Sequence, residues 1–311
     1  SGHADVMISI RSNFFYTRTV PCELWFFDKN KPEALRDKVL MIDARNVYRK
    51  VTRKIYDFSP EQLSNITAVV WLYRGQTEKY LKLIERYLGL VCGECRLIDE
   101  KVKIFDTSLV AIFEVLSAFE NKNKKSEKFK AFVESLAEWK NTSNEYGSDV
   151  KALLSEIEKY DSAVCKKIPK TNVEQIKARE SFDPISEKTR GIIKQIDMLY
   201  KLAIRSVDIA EKELDAKNSG DYDNKLVFKI KKELDDQRKD AVEQLKLAAY
   251  YHRQIHWLQS RFPEAKLCDV AGLVKLVDCA EIEKSDWSMT PGRYVGVAPA
   301  EVDEDFDFEQ S

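Results

Sequence analysis

The spacing of apolar residues changes character near residue 59. Before it, apolar positions come in short unbroken runs: residues 6–10, residues 20–27 with Leu24, Trp25, Phe26 and Phe27, and residues 39–42. Such runs predict strands buried on both faces, and the polar cluster of residues 28–32 predicts a turn. Three strands alone leave bare sheet edges, so most of their sheet is expected to lie on polypeptide other than this.

After residue 59 the period is helical. Ser59-Pro60-Glu61-Gln62 is a helix start, with serine as cap and proline at the first helical position. Leu63, Ile66, Val69, Val70 and Tyr73 continue that helix to Gly75, and a second helix is expected over residues 78–88, stopped by Gly89. Residues 90–106 are ambiguous, with a possible strand over 102–105. Three amphipathic faces follow: Leu109 to Phe119, Phe129 to Trp139 and Val150 to Tyr160, with a turn expected over 141–147. The basic stretch 122–125 reads as a solvated tip.

The most regular pattern lies further on. Ile193, Ile196, Tyr200, Ala203, Val207, Ala210 and Leu214 alternate steps of three and four, a heptad seam. Polar residues 218–224 break it. It resumes through Val227, Ile230, Leu234, Gln237, Ala241, Gln244, Ala248, Tyr251, Ile255 and Leu258. The short break favours an antiparallel helical hairpin over a purely intermolecular coil. Gln237 and Gln244 inside the seam cost stability and help to set register or partner. Pro263 ends the pattern, residues 268–300 read as a short helix and loops, and residues 301–309 form an acidic, disorder-like tail that carries Phe306 and Phe308.

Composition adds constraints. Charged residues make up 33% of the 311, with only 10 Gly and 8 Pro, which favours long exposed helices over a loop-rich fold. The net charge is -1, so any nucleic-acid contact has to come from a local cluster. No run is long and apolar enough for a membrane span, and no signal peptide is visible. Ser1-Gly2-His3 reads as a scar of tag removal. The six cysteines form no dense framework and read as reduced thiols of a cytoplasmic protein. Cys92 and Cys95 have zinc or redox spacing, and His252 and His256 lie one helical turn apart, but too few further ligands accompany either pair; no metal is expected.

Three stretches carry a resemblance. They are Phe14-Phe-Tyr-Thr-Arg-Thr-Val-Pro-Cys-Glu-Leu-Trp-Phe-Phe-Asp28, then Val39-Leu-Met-Ile-Asp-Ala-Arg-Asn-Val-Tyr-Arg-Lys-Val-Thr-Arg-Lys-Ile-Tyr-Asp-Phe-Ser-Pro-Glu-Gln62, and last Trp287-Ser-Met-Thr-Pro-Gly-Arg-Tyr-Val-Gly-Val297. As a set, in this order, they resemble the modification subunits of type I restriction–modification systems. The resemblance implies methylation of an adenine amino group in DNA, with S-adenosylmethionine as donor, by a Rossmann-like domain whose late strands would be those seen here. It also implies a specificity subunit, a restriction subunit and DNA as partners. Members carry a glycine-containing cofactor loop and an Asn-Pro-Pro-aromatic motif. This sequence has no Pro-Pro pair and no Gly-x-Gly, so those motifs are expected before residue 4, and no cofactor is expected to bind here.

Candidate sites follow. Phe14, Phe15 and Tyr16 fall where an intact enzyme would stack a flipped base, or they are strand core residues. Arg45, Arg49, Lys50, Arg53 and Lys54 form the densest basic cluster; if the stretch is helical, Arg45, Arg49 and Arg53 share a face that could meet DNA phosphates, or that is simply a solvated surface, the two readings standing level. Thr290-Pro-Gly-Arg-Tyr294 either packs back on the strand region or closes a loop. For subunit docking the candidates are Ile193, Ile196, Tyr200, Val207, Leu234, Gln237, Gln244 and Tyr251. The expected architecture is mainly α, with long coiled-coil-like helical hairpins attached to a small β remnant of a Rossmann-like methyltransferase sheet. Its expected segments are 1–3 (scar), 4–45 (strands), 46–106 (basic linker and short helices), 107–184 (helical bundle), 185–262 (hairpin) and 263–311 (loops and acidic tail). An unrelated coiled-coil adaptor is the alternative; it accounts for the heptads but not for the two ends.

Overall fold

A computed structural model describes residues 2–15, 19–123 and 129–298. The chain is mostly helical with a small mixed sheet. Its residues divide into two compact units: residues 1–83 with 257–311, and residues 84–256. The acidic tail, Tyr16 and the basic stretch 124–128 lie outside the described residues.

The first unit is built on strands β1 (Ala4–Ile10), β2 (Cys22–Phe27), β3 (Lys38–Asp43) and β6 (Val274–Asp278), in the order β2-β1-β3-β6. β1 and β3 are parallel, with Val6 opposite Leu40 and Ser9 opposite Asp43. β2 and β6 flank them antiparallel. A two-stranded ribbon joins β4 (Arg49–Lys50) to β5 (Tyr56–Asp57). The apolar runs of β1 and β3 are buried as expected, whereas β2 is not. Leu24, Trp25, Phe26 and Phe27 are exposed, with Phe27 62% accessible. β2 is an edge strand with an uncovered apolar surface, so an unbroken apolar run alone misplaced it.

Helix α1 (Pro60–Tyr73) begins at the capping box foreseen from sequence: Gln62 N–H donates to Ser59 Oγ, and Ser59 N–H donates to Gln62 Oε1. Its carboxyl end is tied to β1. Tyr73 OH and the Arg74 guanidinium both donate to the buried carboxylate of Asp5, at 2.9 and 2.7 Å. Lys31, also buried, lies 3.9 Å from Asp5 and donates to the carbonyls of Ala4 and Lys38. A buried charge pair of this kind is tolerated because its remaining hydrogen bonds are filled.

The second unit is helical, and its helices are longer than the sequence pattern suggests. Helix α2 (Thr77–Asn123) runs unbroken for 47 residues. Gly89 does not stop it: a Cβ there would meet Ile168 Cδ1 at 3.3 Å, so the glycine serves close packing. Residues 90–106 are helical rather than strand, because Val91, Cys95, Ile98, Val102 and Phe105 extend one buried stripe. Helix α3 (Lys130–Tyr160) likewise passes through residues 141–147, where no turn occurs. Trp139, Tyr146 and Val150 keep the helical period, and Tyr146 OH donates to Asp106 at 2.8 Å.

Helices α4 (Asn172–Asp208) and α5 (Asn224–Arg261) form the hairpin's two arms, and the polar break falls between them. α4 starts well before residue 185 and carries Pro184 in its interior. Its buried stripe includes Ile192, Ile196, Leu199, Leu202, Ala203, Ser206 and Val207, broader than the heptad seam, whereas Ile193 and Tyr200 are only half-buried. A broad stripe suits a helix packed against several neighbours. Ser206 Oγ meets Ser135 Oγ of α3 at 2.6 Å.

The six cysteines are not all thiols. Cys92 in α2 and Cys165, at the end of the π turn after α3, form a disulfide. Helical positions 73 residues apart in sequence are brought within a Cα–Cα distance of 5.6 Å; sequence spacing singled out Cys92 with Cys95 and could not see this approach. Cys95 is a buried free thiol whose pKa burial pushes up to about 12.

Candidate nucleic-acid interface

Parallel pairing of β1 and β3 puts the segments that follow both strands at the same end of the sheet. Ala44 N–H donates to Ser9 O at 2.9 Å and locks this alignment. Residues 11–15 leave β1 with Asn13 in the left-handed region at φ 62°, a conformation asparagine tolerates better than most residues. Residues 44–48 leave β3 and enter the β4–β5 ribbon. Tyr56 N–H donates to Asn13 O at 3.1 Å and ties the two segments together.

The basic cluster sits on this ribbon, not on a helix. The apolar spacing of Val47, Val51 and Ile55 does not separate helix from strand here, but the β-branched residues Val51, Thr52 and Ile55 favour extended structure, and Asp57 on β5 selects the pairing of the ribbon. Arg49 donates to both oxygens of Asp57 across the ribbon, at 2.9 and 2.7 Å. Arg45 donates to both oxygens of Asp43, with Nη2 at 2.5 Å. These bonds raise the Arg45 pKa and hold the Asp57 carboxyl below its ordinary value. Arg45, Arg49 and Arg53 therefore do not share a helical face, and two of the three are already paired. Lys50, Arg53 and Lys54 are exposed and have no ion-pair partner among the described residues.

Arg11, which no motif or charge cluster singled out, occupies the centre. Its guanidinium carbon lies 3.8 Å from the ring centroids of both Tyr48 and Tyr56. The two rings meet edge to face at 5.1 Å. An open depression of about 340 Å³ is lined by Arg11, Ser12, Pro21, Arg45, Asn46 and Tyr48. The aromatic candidates divide: Phe14 packs on Phe58 at 4.5 Å, while Phe15 is 45% exposed. Tyr16 lies outside the described residues.

The third resembling stretch belongs to the same unit. Met289, Tyr294 and Val295 pack with Met7, Val39 and Met41 of β1 and β3 and with Val277 and Ile282. A Cβ on Gly292 would lie 2.6 Å from Arg45 Nη2, the tip of a half-exposed side chain that can shift, so glycine eases this approach without being required by it. The turn around Gly292 thus packs back on the strand region.

Residues 1–86 match the model of the N-6 DNA methylase family. A similar protein is the type I restriction enzyme MjaIX methylase subunit of Methanocaldococcus jannaschii, 32% identical over 60 residues. That match spans 19% of this chain and 11% of the relative's length. No solved structure matches the chain.

The docking candidates are all in the second unit. Ile196, Val207, Leu234 and Gln244 are buried there. Gln244 Nε2 donates to Glu94 O and Oε2, at 2.9 and 2.7 Å, so its polarity is used within the chain. Ile193, Tyr200, Gln237 and Tyr251 are half-buried, and Tyr200 lies under the Arg238 guanidinium at 5.0 Å. His252 Nε2 is 2.8 Å from Asp183 Oδ1. No described helix is long and apolar enough to cross a membrane.

Proposed function

We propose that this chain is the carboxy-terminal part of the modification subunit of a cytoplasmic type I restriction–modification system, which methylates adenine in DNA. The observation that carries this reading is spatial. Resembling stretches separated by more than two hundred residues build one unit, and the family match falls on that unit. The open apolar edge at β2 is the natural attachment for further strands of the methyltransferase sheet. S-adenosylmethionine belongs on that further sheet. The segments after β1 and β3 carry Arg11, Tyr48 and Tyr56 and no glycine, and so offer no glycine turn for close approach of the cofactor.

In this reading the first unit meets DNA through its basic ribbon. The second unit grips the specificity subunit, and through it the restriction subunit, by helix-against-helix packing. Docking falls to the outer faces of α4 and α5, including the half-buried Ile193, Tyr200, Gln237 and Tyr251. Co-expression of the full chain with its cognate specificity subunit tests the reading. Stable co-purification is expected, together with no saturable heat when S-adenosylmethionine is titrated into the chain alone. Failure to recover the partner overturns the assembly role, and micromolar binding of the cofactor overturns the placement of its site elsewhere.

A further inference from the structure

We propose that Arg11, with Ser12 and Asn46, forms a phosphate-binding site, filled in the working protein by a backbone phosphodiester of DNA. The proposal rests on the DNA-facing role given to the first unit and assigns it a specific seat. Arg45, Arg49 and Arg74 of this unit each hold a carboxylate. Arg11 holds none among the described residues, and its Nε is buried without a hydrogen-bond partner. What holds it is the pair of rings, each 3.8 Å from the guanidinium carbon.

Two π faces attract a cation and fix its plane but do not neutralise it. The result is an oriented fork, already immobilised, at the wall of an open depression. Such a fork loses little freedom on binding and matches the two oxygens of a phosphate. Ser12 and Asn46 line the same depression and offer a hydroxyl and an amide as further donors. Arg45 also lines it, but its charge is compensated by Asp43. Glu23 lies close enough to act on Arg45 as well, which leaves Arg11 as the cation that selects an anion here.

Free phosphate and a phosphodiester share this chemistry. The neighbouring ribbon favours the polymer, because Lys50, Arg53 and Lys54 are exposed cations without ion-pair partners among the described residues, ready for adjacent phosphates. The exposed Phe15 ring stands on the same loop as Arg11.

The test uses the full chain, with inorganic phosphate and a fluorescein-labelled duplex as separate probes. Nitrogen-15 NMR of the arginine Nε–H signals should show Arg11 shifting with either probe. Fluorescence anisotropy across a salt series should show Arg11→Gln weakening duplex binding about tenfold and flattening the salt slope by about one phosphate's worth. Arg11→Lys, which keeps the charge but loses the fork, should restore only part of the affinity. Thermal unfolding of both variants separates lost binding from lost folding. An Arg11 signal unmoved by both probes, in the unmodified chain, overturns the site. A shift with inorganic phosphate but not with the duplex overturns the DNA assignment. Duplex binding that persists unchanged in Arg11→Gln and falls only when Lys50, Arg53 and Lys54 are replaced removes this seat while leaving the DNA-facing role intact.

Discussion

The two units of this chain store information differently. In the first, the structure rests on particular residues at particular places: Gly292 against Arg45, Tyr48 and Tyr56 around Arg11, Asp5 beneath Tyr73 and Arg74. In the second, the helical period carries almost everything, and many residues of the right polarity would serve at each position. The family match covers residues 1–86, the strands, ribbon and first helix of the first unit, and not its later stretch around Gly292 and Val295.

The sharpest way to break the contrast is to attack a position in the second unit where identity does matter. Trp139 is 1% exposed and meets Phe113 edge to face at 5.2 Å. Trp139→Ala should cost about 3–5 kcal/mol in chemical denaturation. Hydrogen exchange should show the loss of protection concentrated in residues 84–256. A cost below about 1 kcal/mol would mean that even this largest core residue is replaceable. Protection lost equally across both units would dissolve the division itself.

The disulfide is the next largest effect. Closing 73 residues of chain, the Cys92–Cys165 bond should contribute about 2–4 kcal/mol. Reductant should therefore lower the denaturation midpoint of the unmodified chain and leave that of Cys165→Ser unchanged. A midpoint indifferent to reductant would show that helix packing alone fixes α2 against the π turn. Because the cytoplasm keeps most thiols reduced, the size of this effect also measures how much stability the proposed setting would withhold. The buried Cys95 thiol, with its pKa pushed up to about 12, is a poor nucleophile and should not exchange into the bond.

What the sequence made legible follows the same divide. Ser59 and Gln62 announced the start of α1 because a capping box is local. The polar break before α5 was legible for the same reason. Gly89 and residues 141–147 misled because glycine and polar residues also occur inside helices when a neighbour, here Ile168 or Asp106, makes use of them. The basic cluster was found by composition, but its conformation was not, since Asp43 and Asp57 act as partners only after the ribbon forms. Arg11 gave no signal at all. It is a lone arginine, and its significance depends on two tyrosines 37 and 45 residues downstream in sequence.

The smallest expected effect concerns a buried titratable group in the otherwise period-governed second unit. His252 packs on Phe182 at 5.1 Å, and its Nε2 faces two acceptors, Asp183 Oδ1 at 2.8 Å and Arg179 O at 3.3 Å. Nε2 therefore carries the proton, and the buried Nδ1 has no hydrogen-bond partner among the described residues. Burial holds the imidazole pKa below its ordinary value. The Asp183 carboxylate opposes that shift, and nearby His256 adds to it. The unfolded chain, with an ordinary histidine near 6.5, then binds more protons than the folded one as the pH falls below that value. Stability from the neutral imidazole is fully present above about pH 6.5 and declines on acidification towards the lowered folded pKa, by at most about 1.4 kcal/mol per pH unit. Denaturation midpoints of the unmodified chain should fall through this window, and those of His252→Gln should fall less. Parallel curves for the two proteins would mean that the Asp183 carboxylate fully compensates burial, so that the His252 contact is a salt bridge insensitive to mild acid.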